Sequence, residues 1–174
     1  MYKYGLGNLL LCTIVMIAIM INTGAILKTP ATPRGILDLE FAYNSGNVSK
    51  VIAAWQGDKI PAAKTNTYFD FLFLICYSLF LFFACSKIAR LSNGWFSKAG
   101  SLFAIGAAIA GVFDVFENVG MLYTLSGNYC SESVAFFTTA FSVTKWILAL
   151  LAVVYCLAGL IYCINQKKLK LLLA

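Results

Sequence analysis

The sequence predicts an all-α integral membrane protein: a four-helix bundle with both termini cytoplasmic and short interfacial helices between the first and second spans. Three observations predict it. Of 174 residues, 61% are hydrophobic and only 11% charged, with a mean hydropathy of +0.83; soluble domains carry roughly 25% charged residues. Four apolar stretches, at about 6–27, 68–89, 99–123 and 134–164, reach the roughly 20 residues needed to cross a hydrocarbon core. Basic residues sit at the N-terminus (Lys3), in the second connection (Lys87, Arg90, Lys98) and in the tail (Lys167, Lys168, Lys170), while 124–133 has none. That pattern places both termini inside. Little chain remains for a soluble domain, so 1–174 reads as one transmembrane domain.

Span one reads as a retained helix rather than a signal peptide. It is longer than a typical apolar core of a leader, and Thr23-Gly24-Ala25 is a poor cleavage site. Its Asn22 is expected to hydrogen-bond to a neighbouring helix, as Asn commonly does in membranes.

The outer segment, about 33–57, reads as two short helices. Thr32-Pro33 fits an N-cap followed by proline at the first helical position, starting a helix that stops near Ser45-Gly46. Asn47 is expected to cap the second, whose Val48, Val51, Ile52 and Trp55 repeat at i, i+3, i+4 and i+7. Tyr43 and Trp55 suit the headgroup zone. The pair either covers the outer mouth of the bundle or rests on lipid. Asn47-Val48-Ser49 also matches the weak glycosylation pattern.

Span two opens with Asn66-Thr67-Tyr68-Phe69-Asp70, which leaves Asp70 as either an interfacial acid or a site residue, with Tyr77 on its face at i+7. Asn93-Gly94 is expected to turn the chain into span three. There Gly100, Ala104, Ala107, Gly111, Asp114 and Asn118 alternate spacings of four and three. Span four does the same with Thr138, Ser142, Lys145, Ala149, Ala152, Cys156, Gly159 and Cys163. Small-residue seams let helices approach closely. The two spans are therefore expected to pack tightly at the inner side and to part around a polar chamber at the outer side.

The chemistry concentrates in Gly111-Val112-Phe113-Asp114-Val115-Phe116-Glu117-Asn118-Val119-Gly120-Met121. Residues 114, 117, 118 and 121 are i, i+3, i+4 and i+7, so they share one helical face. An acid at membrane depth costs about 2.5–3.5 kcal/mol on insertion scales, so two on one face imply a protein-lined or water-filled interior. At about 1.5 Å per residue, Asp114 and Lys145 are expected at similar depths, nine and eleven residues in from the outer ends of their spans. Lys145 is the only cation away from the ends of the spans, so a Lys145–Asp114 pair is expected. Asp70, Asp114 and Glu117 together outnumber it, with Glu40 or Asp38 above the same mouth. The surplus carboxyl group is expected to hold a proton or to be balanced by a bound cation.

No histidine is present, which removes His-ligated haem, the usual catalytic zinc sets and imidazole acid–base chemistry. Six cysteines occur, without a C-x-x-C; five lie in spans as packing residues and Cys130 alone lies in an outer loop. No cofactor, metal or nucleic acid is expected, because the net charge of +6 mostly reflects topology.

Span number, chain length, the long first connection, Asp70 early in span two and the Lys-rich tail together resemble the emopamil-binding and sigma-2 receptor superfamily. That resemblance implies a four-helix bundle with a sterol-sized pocket lined by acidic and aromatic residues. The isomerases of that superfamily use histidine, absent here. Asp114-x-x-Glu117-Asn118 with a lysine in span four also looks like small uncharacterised bacterial membrane proteins.

Three functions fit. In the first, an outer-leaflet chamber binds a small lipophilic molecule, with acid–base chemistry as an added capacity. Glu117 is then the proton-holding acid, Asp114 and Lys145 its electrostatic partners, and Asn118, Thr138 and Ser142 polar orienters. Asp70, Tyr77, Glu40 and Asp38 line the mouth and Trp55 forms a lid. The second is a small proton- or cation-coupled transporter or channel, and the third a non-catalytic accessory subunit. Membrane lipids are the expected surroundings, in a bacterial inner membrane or, for a eukaryotic chain, the endoplasmic reticulum. Small-residue faces would permit oligomers.

Overall fold

The computed structural model describes residues 5–127, 131–168 and 171–172. Among them every regular element is helical. Four helices are long and apolar enough to cross a membrane: α1 (Gly5–Gly24, continued by a 3₁₀ turn Ala25–Leu27), α4 (Lys59–Leu91), α5 (Gly94–Leu125) and α6 (Glu132–Asn165), with short α2 (Ile36–Glu40) and α3 (Ser45–Ala54) between the first two. The protein is a multi-pass membrane protein. Lys3, Cys130 and Lys170, used above for topology and redox arguments, lie outside the described residues.

The chain forms two compact units. One, the basic unit, comprises Met1–Ile14, Ile75–Val112 and Lys145–Ala174; the other, the acidic unit, comprises Val15–Leu74 and Phe113–Thr144. All seven Asp and Glu residues of the sequence fall in the acidic unit, whereas six of the eleven described Lys and Arg residues fall in the basic unit.

Within the acidic unit, α4 starts nine residues before the apolar run. Pro61 is tolerated in a first turn because its missing N–H has no helical partner there. The polar residues that lower the hydropathy of this stretch are satisfied internally. Thr67 Oγ1 donates to the Ala63 carbonyl at 3.0 Å, and Asn66 Nδ2 donates to Thr23 Oγ1 at 2.7 Å and to the Met20 carbonyl at 3.1 Å. The interhelical bond expected of Asn22 is thus made by Thr23, and Asn22 faces outward. Asp70, twelfth in α4, is buried at 6% exposure.

The connection 25–57 differs from expectation at both caps. Thr32 caps no helix. Its hydroxyl donates to the Leu27 carbonyl at 2.9 Å, and reciprocal Thr29–Thr32 backbone bonds close a tight turn. Gly35 then adopts φ +65°, a conformation costly for other residues, so α2 begins only at Ile36. The second helix is capped by Asn44, not Asn47: Asn44 Oδ1 accepts from Asn47 N at 2.8 Å. Val48, Val51 and Trp55 are buried, as the stripe predicts, in a core with Leu27, Leu39, Ala63, Met121, Leu125 and Ala135. Trp55 has no exposed surface, and its indole N–H donates to the Leu27 carbonyl (2.9 Å) and Thr32 Oγ1 (3.1 Å). It is a core anchor, whereas Tyr43 is 58% exposed.

In the basic unit, Gly100, Ala104, Ala107 and Gly111 of the α5 seam are buried, as are Ala152, Gly159 and Cys163 of α6. A Cβ at Gly100 would collide with the Tyr155 hydroxyl and Ala89, and one at Gly159 with Ile88. Small residues are required at both close approaches. Cys85 and Cys156 bring their sulfurs to 3.5 Å.

Candidate functional site

The acidic unit holds the chemistry. On α5, Asp114, Glu117, Asn118 and Met121 are all at most 2% exposed, so the spacing that put them on one face also put that face inward. Glu40, at the end of α2, and Asp70, on α4, are each 6% exposed. Four buried carboxylic side chains therefore belong to one compact unit, and no Lys or Arg of that unit is buried.

Two polar contacts define the arrangement. Asn118 Nδ2 donates to Asp70 Oδ2 at 2.8 Å, a bond from α5 to α4. A carboxylate only accepts, so the amide presents its NH₂ to Asp70 and leaves Oδ1 on the other side. That buried oxygen has no hydrogen-bond donor among the described residues. Ser142 Oγ donates to Glu40 Oε2 at 3.3 Å, a bond from α6 to α2. Glu40 thus bonds across to α6, whereas Asp38 folds back on its own helix start, accepting from both the backbone N–H and the Nε of Arg34 at 2.8 Å.

Thr138 is buried beside Gly120, where an added Cβ would collide with its hydroxyl. Helices α5 and α6 therefore touch at this level, and the parting expected in their polar halves does not occur there. An open, largely apolar groove of about 290 Å³ instead runs along them, lined by Phe116, Val119, Gly120, Phe137, Thr138 and Phe141 with neighbours. Phe116 and Phe141 stack with centroids 5.3 Å apart, and Phe113 and Phe137 flank Phe141. Thr138 lies one helical turn from Ser142, so the groove and the Ser142–Glu40 bond occupy one stretch of α6.

Tyr77 and Lys145 are buried at 9% and 6% exposure and belong to the basic unit. Lys145 is the only buried cation among the described residues.

Three contributors escaped the sequence reading. Thr139 Oγ1 accepts from Tyr43 N and donates to the Glu40 carbonyl, both at 2.9 Å, holding the turn that follows α2. Glu132 Oε2 accepts from Ser45 N at 2.8 Å. Asn66 ties α4 to α1. Only Asn66, a polar residue beside an apolar run, had a local signal.

Among the described residues no group of three or more His, Cys, Asp or Glu side chains is arranged to hold a metal ion. Comparison with family models, curated proteins and solved structures finds no match, so the chain's own geometry carries the functional argument.

Proposed function

We propose that this membrane protein binds a small lipophilic molecule through its acidic unit, with the buried carboxyl groups engaging the molecule's polar end. The observation that carries this reading is an aromatic groove beside a polar interior within one unit. Pockets for small molecules are predominantly apolar with a few placed polar groups, and the groove's Phe116, Phe137, Phe141, Ser133 and Thr138 have that composition. Asn118 Oδ1 supplies an acceptor for a hydroxyl or amine. Glu117, fully buried, is the group we assign to proton donation and acceptance, with Asp114 tuning the local charge. The resemblance to the emopamil-binding and sigma-2 receptor superfamily points to the same ligand class. We place both termini in the cytoplasm and the protein in a bacterial inner membrane.

The test is solvent extraction of protein purified from its native membrane, followed by mass spectrometry. A single lipophilic species should be enriched over a control membrane protein prepared identically. Val119→Trp, which fills the groove from its exposed side, should remove it. Equal yields from wild type and Val119→Trp would end the reading.

The charge balance of the unit favours one alternative, a proton- or cation-coupled transporter. Proteoliposomes carrying an internal pH dye would then acidify under an imposed potential and lose that activity in Glu117→Gln.

A further inference from the structure

Among its described residues the basic unit contains six Lys and Arg side chains and no Asp or Glu. One of them, Arg90, lines a groove of about 320 Å³ between α4 and α5, with Phe82, Ser86, Ala89, Ser97, Ser101, Ala104 and Ile105. The groove is graded along its length. Arg90 and Ser97 lie nearest the turn joining the two helices at 92–93, and Ser86 and Ser101 lie a turn further along. Phe82, Ala104 and Ile105 come last, with Arg90 and Phe82 about 12 Å apart along α4 at 1.5 Å per residue.

The same end of the unit carries two further marks of a membrane–water boundary. Trp95 is 79% exposed, as interfacial tryptophans are. Lys168 Nζ donates to the Leu91 carbonyl at 2.8 Å, which adds a second cation at the end of α4. A cation with hydroxyls at the boundary, passing into an apolar channel, matches an amphiphile with an anionic head. Arg suits a phosphate because its planar fork donates two parallel hydrogen bonds.

We propose that this groove seats an anionic phospholipid, its phosphate on Arg90 and the serine hydroxyls and one acyl chain along Phe82, Ala104 and Ile105. The phosphate then supplies the negative charge that the unit's own sequence lacks. Neither the acidic unit nor its ligand is involved, so the proposal stands or falls independently of the function proposed above.

Native mass spectrometry of the full chain in detergent tests it, with phosphatidylglycerol and phosphatidylcholine of identical acyl chains as the probes. Wild type should retain one phosphatidylglycerol roughly tenfold more tightly than phosphatidylcholine, the factor that about 1.4 kcal/mol corresponds to. Arg90→Gln should erase that preference, and Arg90→Lys should restore part of it. Ser101→Phe, which fills the groove without changing charge, should weaken both lipids. Lys50→Gln, an exposed change in the acidic unit, should leave binding unaltered. Unchanged phosphatidylglycerol preference in a folded Arg90→Gln would overturn the site. Equal loss from Lys50→Gln would reduce it to diffuse surface charge. Displacement of the lipid by millimolar inorganic phosphate would make it a free-anion site and refute the lipid assignment.

Discussion

The two units draw on the same long helices, yet their interiors are opposite in kind. In the acidic unit, α5 and α6 contribute Asp114, Glu117, Asn118, Thr138 and Ser142 to the buried set; in the basic unit they contribute Gly100, Ala104, Ala107, Ala152 and Gly159, with Lys145 as a charged exception. One helical repeat of four and three thus specifies which face turns inward but not what that face does. Small residues give close backbone contact, which in a membrane supplies packing energy that the hydrophobic effect does not. Polar residues give a few directed bonds, each requiring its partner. The basic unit should therefore be sensitive to volume, and the acidic unit to the identity of single atoms.

The comparison can be broken most forcefully where the acidic unit behaves like an ordinary core. Trp55→Ala removes a fully buried indole and both its hydrogen bonds, and truncations of this kind cost about 3–5 kcal/mol. It should give the largest fall in thermal stability and expose 25–57 to proteolysis. If the segment stays protease-resistant, it is held by something other than this core.

Gly100→Leu tests the volume rule. The new side chain meets Tyr155 and Ala89, and overpacking costs about 1–3 kcal/mol, so detergent stability should drop clearly. Leucine at exposed Ala108 on the same helix should be nearly silent. Similar losses at both positions would mean that the seam is not the packing face.

Asn118→Leu keeps the volume but removes the amide donor from Asp70 Oδ2. Interhelical hydrogen bonds in membranes average about 0.6 kcal/mol and reach about 1.7, so a loss near 1 kcal/mol is expected. Asp70→Asn in the same background should recover much of it, because an amide tolerates a missing donor better than a buried charge. Additive effects of the two changes would argue that the 2.8 Å contact carries no energy.

Glu117→Gln should be the mildest change for folding, within about 0.5 kcal/mol, because a protonated carboxyl and an amide match in size and polarity. The acidic unit's proposed ligand binding should nevertheless suffer. A large loss of stability would show that Glu117 is held ionised.

Much of this was legible from sequence because periodicity needs only spacing. Positions 114, 117, 118 and 121 fall on one face in any α-helix, and they are the buried face. The early start of α4 was hidden because Lys64, Asn66 and Thr67 depress the hydropathy, and nothing local announces that Thr23 and the Met20 carbonyl wait for Asn66. The Thr32-Pro33 cap signal was sound in isolation but was outcompeted, since the Leu27 carbonyl and the Trp55 indole engage the Thr32 hydroxyl. Thr139 and Glu132 act across 96 and 87 residues, a separation at which no residue pattern carries information. Glu40 and Asp38, two positions apart, had equal claims by sequence; Arg34 decided between them.

Of the three tryptophans, Trp55 has no exposed surface while Trp95 and Trp146 are 79% and 40% exposed. In Trp95→Phe, Trp146→Phe protein the remaining indole becomes a fluorophore embedded in the segment 25–57. Its emission should be blue-shifted and inaccessible to aqueous iodide, and should move to the red when that segment detaches. The protein therefore carries its own optical gauge of whether α2 and α3 are seated, one that can be read during ligand addition without attaching a label.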